Sequence, residues 1–107
     1  MGLLWLLLIF SYTFSFVEPD PCQIYGAVYI EKNKSYANFL VFEDDSEAFA
    51  DVLVFKQENK LFADDSGLWH FTDDKSIADF SIYLTPKKNQ ADFSIFYIDK
   101  ESFAGCN

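Results

Sequence analysis

Alanine recurs at a nearly constant interval along most of this chain. Six alanines stand 13, 13, 15, 13 and 13 residues apart: Ala37, Ala50, Ala63, Ala78, Ala91 and Ala104. Each except the last is followed by Asp or Asn, and four units carry an apolar pair four and five residues after the alanine, as in Ile82-Tyr83. A repeat this regular predicts one small structural unit that is used several times. It constrains the architecture much more than the chemistry.

The residues within one unit alternate in the manner of a β-strand. In the unit that starts at Ala91, the apolar series Phe93, Ile95 and Tyr97 is interrupted at every second position, which is typical of strands. The polar segments between units are five or six residues long, and a crossover between parallel strands usually needs about a dozen residues. The sequence therefore predicts a mainly β fold with six to seven short strands, joined by compact turns and short helical turns.

The adjacent apolar pairs predict that both faces of these strands are covered. Neighbouring residues on a strand point to opposite faces, so both members of such a pair cannot face one core. Strands that are apolar on both faces are usually buried on both faces. In a domain of this size, the chain must then wrap around itself.

The middle of the array departs from the regular spacing. The unit that starts at Ala63 carries two extra residues and contains Asp64-Asp65-Ser66-Gly67, a sequence typical of a turn or a bulge. We expect this break to let the second half of the array lie differently on the first.

Length and charge exclude several classes of protein. The 107 residues suffice for one small domain, and at 50% apolar the chain is too hydrophobic for a disordered tail. The net charge is −9, with eight Lys and no Arg. Because nucleic-acid affinity rests on cations that neutralise phosphates, we expect no nucleic-acid partner. The same balance argues against binding to an anionic membrane surface.

The first residues resemble an export signal. Residues 3–10 form an apolar run, and every charged side chain lies at Glu18 or later. Such a run is too short to span a bilayer and fits the apolar region of a signal peptide. We predict a signal peptide at 1–16, a spacer at 17–21 and a secreted or periplasmic protein. The alternative is a buried N-terminal strand.

Three sequence features together resemble one known family. They are the units of the form Ala-Asp-Phe-x-Ile-[Phe/Tyr], the central Gly67-Leu68-Trp69-x-Phe71 and the closing Phe103-Ala104-Gly105-Cys106. This combination resembles the 7(1) septoil knot domain over about residues 22–107. The resemblance implies a compact, knotted β-repeat domain whose backbone follows a seven-crossing torus knot. The family has no established activity, so the resemblance implies no catalytic residue and no ligand.

Cys22 and Cys106 bracket the repeat array and are the two cysteines of the chain. In an exported protein, such a pair normally forms a disulfide. The alternatives are two free thiols, or a metal site that would be short of ligands because His70 is the single histidine. We predict the disulfide.

The acidic residues that follow the alanines are candidate calcium ligands. They are Asp51, Asp64, Asp79 and Asp92. Calcium needs six to eight converging oxygens, usually on Gly-rich turns, and the chain has four glycines. We therefore expect these carboxylates to accept turn or helix-end N–H bonds where strands begin, and we predict no metal and no cofactor.

One repeat position carries an aromatic ladder. Its members are Tyr29, Phe42, Phe55, Tyr83 and Phe96, with His70 in the equivalent slot of the inserted unit. Such a ladder could stack sugars or bases, but side chains of this kind are more often core. A small pocket at Trp69-His70-Phe71 is a further alternative.

Catalysis finds little support in these motifs. Paired acids such as Asp44-Asp45, Asp64-Asp65 and Asp73-Asp74 could serve acid–base chemistry, but acids in polar turns are mostly solvated surface. We predict a monomeric, non-catalytic, unfolding-resistant structural or interaction module. The alternatives are an exported protein that binds a sugar or a cation through the aromatic slots and acidic turns, and a small hydrolase built on the acidic pairs.

Overall fold

A computed structural model describes residues 20–107, so the predicted signal peptide and residues 17–19 of the predicted spacer lie outside the described residues. Within that range seven strands alternate with seven three-residue 3₁₀ turns. The strands are β1 (Gly26–Ile30), β2 (Phe39–Glu43), β3 (Val52–Lys56), β4 (Leu68–Phe71), β5 (Phe80–Leu84), β6 (Phe93–Ile98) and β7 (Gly105–Cys106). The turns are η1 (Pro21–Gln23), η2 (Lys34–Tyr36), η3 (Glu47–Phe49), η4 (Lys60–Phe62), η5 (Lys75–Ile77), η6 (Lys88–Gln90) and η7 (Glu101–Phe103). The predicted mainly β single domain is confirmed.

Strands β1 to β6 are parallel and close into a ring. Their order around the ring is β1-β5-β2-β6-β3-β4, and β4 pairs again with β1. The strands of the first half of the chain therefore alternate with those of the second half. The two-residue insertion lies between β3 and β4, where the chain begins its second passage around the ring.

Each connection between these parallel strands is a short crossover. The segments 31–38 and 85–92 join β1 to β2 and β5 to β6 with eight residues each. The expectation that segments of this length are too short for a crossover was wrong. A five-residue strand is about 17 Å long, and eight residues can span up to about 28 Å, so a 3₁₀ turn with extended flanks suffices for the return.

The interior of the ring is packed with apolar side chains that alternate along each strand. Eight of them are at most 5% exposed: Val28, Val41, Val52, Val54, Trp69, Ile82, Phe93 and Ile95. Trp69 contacts the rings of Phe80 and Phe93 edge-on, with centroids 5.2 and 6.3 Å away. Burial of this apolar surface, together with edge-to-face aromatic contacts, is the main stabilising contribution to the fold.

The ring has a seam between β3 and β4. These strands pair at two positions, Phe55 with Leu68 and Lys56 with Trp69. Beside the first half of β3, the antiparallel strand β7 pairs with Val52 and Leu53 instead. Gly67 approaches β7 so closely that a Cβ at this position would lie 2.3 Å from the Gly105 nitrogen. The C-terminal residues thus close the seam that the insertion opens.

Candidate functional site

The predicted cysteine pair is joined in the structure. Cys22 in η1 and Cys106 in β7 form a disulfide with their Cα atoms 4.9 Å apart. The bond connects the two ends of the described chain across a sequence separation of 84 residues. It lies beside the seam, because η1 packs against β7.

The side chains that follow the alanines hold the ring together. Asp51 Oδ2 accepts a hydrogen bond from the Ser94 N–H at 2.9 Å, and Asp79 and Asp92 accept from the N–H groups of Ala27 and Leu40 at 2.8 and 2.7 Å. Each acceptor bonds to a neighbouring strand rather than to its own turn. Asp64 belongs to the insertion and is exposed. Among residues 20–107, no cluster of three or more His, Cys, Asp or Glu is arranged to hold a metal ion.

The aromatic ladder lies on the outer face of the ring and is half-buried. Its members point away from the packed interior: Tyr29, Phe42, Phe55, His70, Tyr83 and Phe96. The connecting segments cover this face, since His70 Nδ1 lies 2.9 Å from the Gln57 oxygen and the Lys75 ammonium lies over Tyr29. The ladder is therefore neither an open stacking platform nor part of the central core. Trp69 and His70 point to opposite faces, so Trp69-His70-Phe71 does not form a pocket.

A second repeat position, immediately before each alanine, is exposed and apolar. It is the last residue of each 3₁₀ turn from η2 to η7, and five of the six residues are large and apolar: Tyr36, Phe49, Phe62, Ile77 and Phe103. Their exposed fractions run from 44% to 72%. This exposed position was not predicted from the sequence. An apolar residue beside the alanine in five of six units was the available signal.

Lysines of the second half pair with acids of the first half beside these turns. Lys75 Nζ is 2.6 Å from Glu31 Oε1, and Lys88 Nζ is 2.6 Å from Asp44 Oδ2. At the third equivalent place the Gln57 amide donates to Glu101 Oε1 at 3.1 Å. The hydrogen bond with Glu31 raises the pKa of Lys75, and the hydrogen bond from Lys88 lowers the pKa of Asp44.

Two of the exposed turn residues lie among carboxylates, each with a lysine ammonium over its ring: Lys88 Nζ is 5.9 Å from the Phe49 centroid and Lys100 Nζ is 5.7 Å from the Phe103 centroid. Phe103 lines a cleft together with Glu47, Asp99 and Lys100, while Phe49 lines a second cleft with Asp51 and Asp92. The Asn107 amide donates to the Glu47 oxygen at 2.7 Å and so ties the C-terminus to η3. We call the combined region, formed by Glu47, Phe49, Asp99 and Phe103, the acidic aromatic surface.

A family model describes a fold of this kind. The 7(1) septoil knot domain matches residues 21–107, and the chain belongs to this family. Neither the curated proteins nor the solved structures contain a match. The seven-crossing path stays a prediction. In the described part of the chain, the helices are 3₁₀ turns of three residues, and none could cross a membrane.

Proposed function

We propose that the protein is a non-catalytic, monomeric interaction module, secreted or periplasmic, whose acidic aromatic surface docks a cationic polypeptide with an apolar face. One observation carries the proposal. Phe49 and Phe103 are 72% and 60% exposed and share their clefts with Glu47, Asp51 and Asp99. Exposed apolar groups rimmed by charge are typical of protein–protein contact sites.

The charge of the chain supports a cationic partner. A net charge of −9 attracts cations over several ångströms and repels acidic polypeptides. Complementary charge raises the association rate and sets the orientation of the partner, while buried apolar contacts supply most of the affinity. A helix or loop that presents Leu or Phe side chains beside Lys or Arg satisfies both requirements.

Structural use of the acidic residues supports a non-catalytic role. Asp51, Asp79 and Asp92 hold the N–H groups of neighbouring strands. Glu31 and Asp44 hold lysines. Carboxylates committed in this way are poor candidates for a proton-transfer pair, which must bind and release protons freely during turnover.

An extracytoplasmic location agrees with the disulfide. Structural disulfides persist in oxidising compartments, and Cys22 and Cys106 are bonded. The predicted signal peptide points to the same location. Sugar or cation binding through the aromatic slots is the weaker alternative, because those side chains are half-buried.

Calorimetric titration with a designed peptide tests this function. The probe is an amphipathic helix of Lys and Leu, about 18 residues long, and the control probe has Glu in place of every Lys. We expect saturable binding of the basic probe that weakens as salt is added. Replacing both phenylalanines in a Phe49→Ser, Phe103→Ser variant should reduce the affinity at least about tenfold.

A matched variant makes the test specific. Tyr36→Ser removes an aromatic side chain that is 67% exposed at the equivalent repeat position outside the acidic aromatic surface, and it should leave the affinity unchanged. Equal binding of the acidic and basic probes would contradict the proposal. So would native affinity in the double phenylalanine variant.

A further inference from the structure

Three polar side chains point into one end of the ring. Glu43, Tyr97 and Lys56 lie at or near the carboxyl ends of β2, β6 and β3, which are neighbours in the ring. Strand alternation places them on the same face as the buried residues Val41, Ile95 and Val54. We call this end the barrel mouth. Glu43, Lys56 and Ile30 are exposed there.

Two aromatic rings flank the Lys56 ammonium at the barrel mouth. Lys56 Nζ lies 4.2 Å from the ring centroid of Tyr97 and 5.7 Å from that of Phe71. The two rings are 6.2 Å apart and inclined at 65°, so they form a corner. Burial and, after it, the nearby Glu43 carboxylate raise the pKa of Tyr97. The faces of aromatic rings are the usual recognition site for an organic ammonium group.

We propose that the barrel mouth is a binding site for a small organic ammonium ion. In the free protein the Lys56 ammonium group occupies this site, and the ligand displaces it. This inference rests on the barrel mouth alone and does not depend on the acidic aromatic surface.

The chemistry of the two cations favours the exchange. A primary ammonium is compact and strongly hydrated, so its desolvation against the rings is costly. Holding the flexible lysine stem in one place also costs side-chain entropy. An alkylated ammonium is less strongly hydrated and presents methyl groups to the ring faces. Since Lys56 is exposed, its head group can move into solvent while the ligand enters.

Removal of the lysine head group distinguishes an occupant from a ligand-binding residue. If Lys56 occupies the site, Lys56→Met should strengthen the binding of tetramethylammonium. If Lys56 instead binds an anionic ligand, the same variant should abolish the binding of acetate and leave tetramethylammonium binding unchanged. The two roles therefore predict opposite results from one substitution.

The experiment is an NMR titration that follows the ring protons of Tyr97 and Phe71 at constant ionic strength. Lys56→Met should reach half-saturation with tetramethylammonium at a concentration at least about tenfold below that of the native protein. Tert-butanol, a neutral molecule of the same shape, should not saturate. Adding Tyr97→Leu to the Lys56→Met variant should remove binding. Lys56→Gln serves as the second variant if Lys56→Met does not fold.

Lys75→Met is the matched control, because the Lys75 ammonium also lies over aromatic rings, those of Tyr29 and Tyr36, but outside the barrel mouth. It should bind tetramethylammonium as the native protein does. The proposal is overturned if Lys56→Met binds no more tightly than the native protein, if tert-butanol binds as well as tetramethylammonium, or if acetate binding is lost with Lys56.

Discussion

The side chain that follows a repeat alanine links one half of the chain to the other. Asn38 Oδ1 accepts from the Ser81 N–H at 2.8 Å, and Asp51 Oδ2 accepts from the Ser94 N–H at 2.9 Å. The two acceptors are 13 residues apart, the two donors are also 13 residues apart, and the two contacts have the same geometry. An uncharged amide and a carboxylate therefore accept the same backbone hydrogen bond at equivalent positions.

This equivalence predicts the result of two substitutions at Asp51. Asp51→Asn keeps an oxygen acceptor for the Ser94 N–H and should leave the free energy of unfolding nearly unchanged. Asp51→Ala leaves the buried Ser94 N–H without its acceptor and should lower the free energy of unfolding by about 1 to 2 kcal/mol. Urea unfolding of both variants measures the difference. An equal loss in the two variants would show that charge, not the hydrogen bond, matters.

Tyr97 gives the fold a dependence on alkaline pH. Burial, followed by the hydrogen bond to Glu43, raises the pKa of Tyr97 above its usual value of 10.0. Above about pH 10 the unfolded chain releases this proton while the folded chain keeps it. The contribution of Tyr97 to the free energy of unfolding is therefore complete below about pH 10. It is lost as the pH rises further, because the folded state binds more protons than the unfolded state.

Tyr97→Phe should therefore flatten the decline of stability with pH. We expect the variant to lose less free energy of unfolding than the native protein between about pH 9 and about pH 11.5. Urea unfolding at each pH measures it. Tyr25→Phe, at a residue that is 48% exposed, should retain the native decline. An unchanged decline in Tyr97→Phe would refute the account of this side chain.

At the scale of the elements, the seam between β3 and β4 depends on two glycines. Gly67 has a φ of +77° and Gly105 has a φ of +119°. A Cβ at Gly67 would lie 2.3 Å from the Gly105 nitrogen and 2.5 Å from the Leu53 oxygen, whereas a Cβ at Gly105 would meet Ser66 at 3.4 Å or more. Both glycines supply an unusual conformation, and Gly67 also permits a close backbone contact.

Gly67→Ala should destabilise the protein more than Gly105→Ala. Gly105→Ala adds conformational strain of about 1 to 3 kcal/mol. Gly67→Ala adds comparable strain and a backbone clash, so its loss should exceed that of Gly105→Ala by at least about 1 kcal/mol. Thermal or urea unfolding of the two variants gives the comparison. Equal losses would mean that the seam does not require close contact at Gly67.

At the scale of the whole molecule, the repeat predicted the elements but not their partners. Strand β6 and the break at Gly67 follow from alternation and turn residues close together in the sequence. The ring order does not, because the contacts that define it join residues such as Asn38 and Ser81, 43 positions apart. No local turn signal specifies a pairing between such distant strands, and parallel pairing leaves no hairpin motif.

The candidate site was missed for a related reason. Phe49 and Phe103 stand next to alanines in an apolar repeat, a pattern that indicates core residues. A three-residue 3₁₀ turn instead places its last side chain outside the ring. The disulfide could be predicted from the sequence, because both cysteines lie at the ends of a domain that closes on itself. The sequence did not indicate which side of the ring each connecting segment covers.

The proposed function requires that the exposed turn residues bind a partner and contribute little to the stability of the fold. The most direct test compares the free energy of unfolding of Phe49→Ser, Phe103→Ser with that of Ile82→Ala, whose side chain is 0% exposed in the barrel. Ile82→Ala should cost about 2 to 5 kcal/mol. The double phenylalanine variant should lose clearly less than Ile82→Ala. A loss as large as that of Ile82→Ala would contradict the claim and place the two phenylalanines in the structural core.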